Sequence, residues 1–129
     1  MGVTHLWDTN TVIYYLQQQF PLQAETFIDQ LLLNESPCFS AVTEIELLCW
    51  KTASEQELTL LRQFISNSLV IELEQAIKWK AADLRRQYAI KLPDAIIAAT
   101  AIVYDLTLLS RNEKDFRRIP DLHLHNPWV

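Results

Sequence analysis

Four acidic side chains stand at positions where a fold could bring them together. They are Asp8 in "WDTNTVIYYL", Glu46 in "SAVTEIEL", Asp94 in "LPDAIIAATA" and Asp115 in "LLSRNEKDF". Four converging carboxylates repel one another at low effective dielectric, and a divalent cation removes that cost. An all-oxygen donor set suits Mg2+ or Mn2+. Zinc is not expected: the histidines are His5, His123 and His125, with no HExxH and no cysteine partner at zinc spacing. Each acid alone also has a structural use. Asp8 can cap a helix, Asp94 can favour the positive end of a helix dipole, and Thr43 with Glu46 has capping-box spacing. Asp115 can be an ordinary loop acid. The two readings part on whether the four positions meet.

The order of elements decides that. Apolar runs of strand length, 3–7, 37–41, 69–73, 107–110 and 122–125, alternate with helical patterns. Helices are expected over 10–19, from Pro21 to 34, over 43–51, after a capping box at Ser54 and Glu57, over 74–88, and from Pro93 onward. Strands alternating with helices imply right-handed crossovers and a mostly parallel sheet of five strands, covered on both faces. In such α/β sheets ligands sit beyond the carboxyl ends of the strands. Asp8 ends the first strand, Glu46 lies early in the helix after the second, Asp94 opens its helix and Asp115 falls in the loop after the fourth strand. All four are therefore expected at one edge.

Glu44 competes with Glu46. The two are about 200° apart around a helix, so one of them faces the site. Glu46 shares its face with Thr43, Leu47 and Trp50, so it is expected to point inward and Glu44 to solvent.

Composition excludes several functions. Gly2 is the only glycine of 129 residues. A P-loop, a GxGxxG turn and a GxSxG elbow each need more, so Walker-type ATP binding, Rossmann dinucleotide binding and α/β-hydrolase chemistry are out. No apolar run approaches the ~20 residues that span a bilayer. The segment "MGVTHLWDTN" has neither a basic region nor an apolar core of a leader, and position 6 is Leu6 where a myristoylation motif needs Ser or Thr. A single cytoplasmic domain, 1–129, without membrane attachment is expected, with Cys38 and Cys49 as buried, reduced packing residues. The net charge of −5 argues against broad electrostatic binding of nucleic acid, so any contact with RNA would be local. The basic runs 78–91 and 110–118 read first as solvated helix faces. The rings of Tyr14, Tyr15, Phe20, Phe27, Trp50, Phe64 and Trp79 either fill the core or leave an apolar face for a partner.

The four acidic segments, in this order and at these spacings, resemble the motifs of PIN domains, and among them the VapC-type ribonuclease toxins. The resemblance covers essentially the whole chain. It implies an α/β/α sandwich, Mg2+-dependent (or Mn2+-dependent) cleavage of RNA, a homodimer and a cognate antitoxin that blocks the site. Carried over by motif, Asp8, Glu46, Asp94 and Asp115 are the catalytic, metal-binding acids, with Thr9, Asn10, Ser110 and Asn112 as polar support. Ser110 stands where the family often has Thr, and Asn112 where some members have Asp, which leaves one or two metal ions open. Arg111, Lys114, Arg117 and Arg118 are candidates to hold an RNA backbone.

Other classes fit less well. A non-toxin PIN-like nuclease and a silent PIN-like binding module share the fold. A haloacid-dehalogenase-like phosphatase needs a second aspartate where "DTNTV" has Asn10. A receiver domain needs an aspartate ending the third strand, where "LVIELEQ" has glutamates, and a lysine after the fifth, where the chain reads "HNPWV".

Overall fold

The computed structural model describes residues 2–129. The chain runs β1 (His5–Trp7), α1 (Thr9–Leu16), α2 (Leu22–Leu32), β2 (Cys38–Ser40), α3 (Ala41–Leu48), α4 (Glu55–Ser66), β3 (Leu69–Ile71), α5 (Gln75–Gln87), α6 (Leu92–Val103), β4 (Thr107–Leu109), α7 (Glu113–Phe116) and β5 (Leu124–His125). All five expected strands form. Among the described residues every strand pairing is parallel: β1 with β4, β4 with β5, and β2 with β3. The architecture is α/β, as the alternation implies.

One expectation is corrected. The strands form a three-stranded sheet, β1-β4-β5, and a two-stranded sheet, β2-β3, rather than one continuous ladder of five. β2 still lies beside β1. Glu35, in the turn before β2, explains part of the break. Its Oε1 accepts from the backbone N–H groups of Thr4 (3.0 Å) and His5 (3.2 Å), and its Oε2 accepts from the Thr4 hydroxyl. The His5 amide, at the start of β1, is thus taken by a side chain rather than by a neighbouring strand.

Period-two alternation sends neighbouring residues to opposite faces. Leu6, Cys38 and Leu108 enter one apolar core with Ile77, Ala81 and Leu84 of α5 and Ile97, Ala98 and Ala101 of α6. Trp7, Phe39 and Leu109 enter a second core with Val12 of α1, Ile28 of α2 and Leu61 of α4. Two cores on opposite faces of the strands make the three-layer sandwich. No helix of the described residues is long and apolar enough to cross a membrane.

Helix starts follow local chemistry, with shifts from the expected bounds. The Ser54–Glu57 capping box forms as read. Pro21 is the N-cap of α2 rather than its first residue. α3 begins at Ala41 because Ser40, not Thr43, is its cap; the Ser40 hydroxyl accepts from Thr43 N at 3.2 Å. That frees Glu46 from a capping role. The loop expected around Asp115 is a single helical turn, α7, capped by Asn112.

With one glycine in the chain, two left-handed positions fall to other residues: Gln18 (φ 54°) after α1 and Asp105 (φ 53°) after α6. Both close Schellman motifs. Gln19 N donates to Tyr14 O at 2.9 Å and Leu106 N donates to Ala101 O at 2.8 Å, satisfying carbonyls at the helix ends.

Cys38 is buried, and burial pushes its thiol up to about 12. Cys49 is exposed at the end of α3, contrary to expectation. Most of the aromatic excess fills the second core, where Phe39 stacks on Phe64 at 6.0 Å. Trp79 does not, being 68% exposed.

Candidate active site

The lateral order β3-β2-β1-β4-β5 reverses between β1 and β4, so the connections leaving these two strands diverge to opposite sides. That divergence opens a crevice at their carboxyl ends. Asp8 follows the last residue of β1 and Ser110 the last residue of β4, and the strands are joined there by Asp8 N donating to Leu109 O at 3.2 Å.

Asp8 is 6% exposed, with both carboxylate oxygens hydrogen-bonded. Its Oδ1 accepts from the backbone N–H (2.8 Å) and hydroxyl (2.6 Å) of Thr11, and its Oδ2 accepts from the Ser110 hydroxyl. It does cap α1, so the structural reading of this residue is correct as far as it goes. Capping does not require burial beside other acids. Burial raises its pKa above the ordinary carboxylate value; the Ser110 and Thr11 hydrogen bonds oppose that rise, and the charge on Glu46 adds to it.

Glu46 reaches the same crevice from α3. Its Oε1 accepts from the Thr9 hydroxyl at 2.6 Å, and Thr9 Oγ1 also lies 3.0 Å from Thr43 Oγ1. The expected division between the two glutamates holds in direction but not in exposure. Glu46 lines the crevice and is exposed, whereas Glu44 is half-buried outside it. The crevice is open to water, so a side chain facing it is not buried.

Asp94 sits in the first turn of α6, half-buried. Burial raises its pKa, and Asp115, Glu46 and Asp8 raise it further in that order, with Lys91 pulling it down. Those contributions are the electrostatic signature of four carboxylates facing one space. Asp115 Oδ2 accepts from Asn112 Nδ2 at 3.0 Å, and its Oδ1 lies 3.8 Å from the Arg118 guanidinium. The Asn112 backbone N–H in turn donates to Ser110 Oγ at 3.0 Å.

All eight residues singled out in the sequence therefore belong to one constellation. A crevice of about 320 Å3 is lined by Asp8, Glu46, Asp94 and Asp115, with Thr9, Asn10 and Asn112 on its walls. Ser110 stands behind it, bonded to Asp8. Three participants were not foreseen. Thr11, at i+3 from Asp8, bonds it directly, whereas Thr43, at i−3 from Glu46, reaches it only through the Thr9 hydroxyl that both share. Lys91, three residues before Asp94, supplies the crevice with a cation.

Comparison with known proteins decides the family. The sequence profile of the PIN domain matches residues 6–122. The chain belongs to the PIN-domain family. This PIN domain is 28% identical to Ribonuclease VapC2 of Rickettsia felis, over 95% of this chain and 96% of that one. It is 30% identical to a chain of a toxin–antitoxin complex from Klebsiella pneumoniae, with a TM-score of 0.78 over 96% of this chain and 98% of that one. It also resembles a chain of DNA-bound VapBC from Salmonella typhimurium, at 25% identity and a TM-score of 0.83 over 98% and 99% of the two chains.

PIN-domain ribonucleases generally depend on a divalent metal, and the donor set here fits one. The crevice offers carboxylate oxygens, and Asp94 carries the repulsion a cation would relieve. Among the described residues no three His, Cys, Asp or Glu side chains form a ready-made cage.

Proposed function

We propose that this PIN domain is a metal-dependent endoribonuclease, the toxin of a toxin–antitoxin pair, hydrolysing RNA phosphodiesters. The observation that carries the reading is the convergence of Asp8, Glu46, Asp94 and Asp115 on one water-accessible crevice, where burial and the neighbouring acids raise the Asp94 pKa. Asp8, Glu46, Asp94 and Asp115 would hold the Mg2+ or Mn2+ ion. When bound, the ion polarises a phosphoryl oxygen and acidifies a water. Ser110 and Thr11 fix both oxygens of Asp8, Thr9 fixes one oxygen of Glu46, and Asn112 fixes one oxygen of Asp115. This leaves oriented lone pairs and no rotamer search when the ion arrives. Asn10 lines the wall against which the substrate backbone lies. Of the four basic residues near Asp115, Arg117 pairs with Glu113 and Arg118 with Asp115. Lys91 and Lys114 are left to meet phosphate.

The partners follow from the relatives, which include VapC ribonucleases and chains of toxin–antitoxin complexes. A groove of about 680 Å3 runs between the end of α1, α2 and α4, with Tyr15, Leu16, Phe20, Leu60 and Phe64 on its walls. Its apolar rings, bordered by Glu25, Asp29 and Gln63, suit the anchoring side chains of a cognate antitoxin helix. Exposed Trp79 on α5 with Leu92 and Val103 on α6 supply apolar surface for a homodimer. The protein acts in the cytoplasm, where its RNA is.

The test is incubation of purified protein with mixed RNA. Cleavage in Mg2+ that stops in EDTA, and is lost in Asp94→Asn, is the expected result. Intact RNA under every condition would reduce the protein to a binding module.

A further inference from the structure

The catalytic crevice has a second lobe. A cavity of about 350 Å3 shares Asp8, Asn10 and Asn112 with it and is completed by Tyr14 of α1 and Arg111 of the β4–α7 loop. The volume is at the lower end of the ~300–1,000 Å3 of small-ligand pockets. Its wall chemistry differs from that of the crevice. A phenol ring and a planar guanidinium replace clustered carboxylates, and the Asn10 and Asn112 side chains carry amide donors and acceptors.

Both planar groups are braced by the same residue. Trp128 meets Tyr14 edge-to-face at 5.5 Å, and the Arg111 guanidinium carbon lies 6.0 Å from the Trp128 ring centroid. The Trp128 ring packs against Phe20 at 5.2 Å, its backbone N–H donates to Asn126 Oδ1 at 2.9 Å, and its backbone carbonyl accepts from Gln23 Nε2. Asn126 donates to Glu113 Oε2 of α7 at 2.9 Å. The segment after β5 thereby joins α1, α2 and α7 behind the lobe.

We propose that this lobe is a nucleobase subsite: a base adjoining the phosphodiester in the crevice stacks between Tyr14 and Arg111, and Trp128 is the positioning residue that holds both. The assignment rests on the ribonuclease reading for the identity of its ligand. An aromatic face and a guanidinium plane are what single-stranded RNA bases stack upon. The shared wall places that base next to the carboxylates, so the lobe takes the nucleotide flanking the cleaved bond. Stacking tolerates any base, while Asn10 can prefer one edge over another; the Asn112 amide is committed to Asp115 and the cap of α7.

The experiment measures binding rather than turnover. Asp94→Asn protein in Mg2+ is titrated with a fluorescein-labelled mixed-sequence RNA hexamer and with an abasic hexamer of the same ribose-phosphate backbone. In that background Tyr14→Ala should weaken the base-bearing hexamer by roughly 5- to 150-fold, the range for losing one stacked base, and leave the abasic one unaffected. Tyr14→Phe should bind as the parent does. Arg111→Lys keeps the charge and removes the plane on an exposed side chain, so the fold is not at issue; it too should weaken only the base-bearing hexamer. Equal loss on both hexamers, or no loss from Tyr14→Ala and Arg111→Lys, overturns the subsite. Cleavage by wild type in Mg2+ is scored separately. Cleavage without base-dependent binding rejects the subsite alone, and base-dependent binding without cleavage rejects the ribonuclease reading alone.

Discussion

Ser110→Ala tests how the acidic site is held. Ser110 is fully buried, and its hydroxyl does two jobs: it donates to Asp8 Oδ2 and accepts from the Asn112 backbone N–H at 3.0 Å. The substitution removes one oxygen and leaves almost no cavity, so the packing loss is small. Losing the donor to a buried carboxylate costs about 1.5–3 kcal/mol. The Asn112 N–H is part-buried and can recover a water, so its loss adds about 1 kcal/mol at most. A destabilisation of roughly 1.5–4 kcal/mol at pH 8 without metal follows. The pH dependence gives the mechanism away. The Asp8 pKa is already raised in the folded state, with Ser110 opposing the rise. Removing Ser110 raises it further, so the charged form bears most of the cost. As pH falls through the folded pKa toward the ordinary value near 3.8, the folded state takes up its proton and the difference from wild type must shrink. Urea unfolding of both proteins in EDTA at pH 8 and pH 4.5 measures this. A loss below about 0.5 kcal/mol, within the range of an ordinary surface change, or an equal loss at both pH values, would refute the argument.

Three other outcomes follow from the same geometry. Glu46→Gln should lose RNA cleavage and Glu44→Gln should cleave like wild type; the reverse would show that α3 presents its other face. Gln18→Gly removes a side chain from a left-handed position and should stabilise the protein by up to about 1 kcal/mol in thermal melts, whereas Gln18→Val should destabilise it. Asp94→Asn should be more stable than wild type in EDTA at pH 8, and that advantage should vanish on acidification. The raised Asp94 pKa means the ionised acid penalises the fold above that pKa and ceases to do so as it protonates. An advantage that persists at pH 3.5 would point to a better helix cap instead.

The strands and the acids were legible in the sequence for different reasons. Short apolar runs such as "HLW" and "TLL" separated by helical patterns leave few arrangements besides a parallel sheet, and its edge rule then gathers Asp8, Glu46, Asp94 and Asp115. Cap chemistry was legible where a motif was complete, as at Ser54 and Glu57. It misled at Thr43 and Glu46, because the spacing of a capping box also occurs one turn into a helix already capped by Ser40. The break between β1 and β2 was not legible, since it depends on Glu35 reaching the Thr4 and His5 amides from another segment. Nor was the exposure of Glu46, which reflects an open crevice rather than any property of α3. The lobe beside the site was hidden for a similar reason: Tyr14, Arg111 and Trp128 are far apart in sequence and meet only because the last residues return across α1.

The central claim is that the four acids form a divalent-cation site whose repulsion the ion relieves. Melting curves of wild type and Asp94→Asn, each in EDTA and across a Mn2+ series, test it most directly. An ion that binds only the folded site stabilises wild type by about 2.7 kcal/mol at a hundred times its dissociation constant. Wild type is expected to rise with Mn2+ in this manner, while Asp94→Asn starts higher in EDTA and responds less. A variant that starts lower in EDTA and gains as much from Mn2+ as wild type would contradict it, and would leave Asp94 as a helix-terminal acid with no share in a metal site.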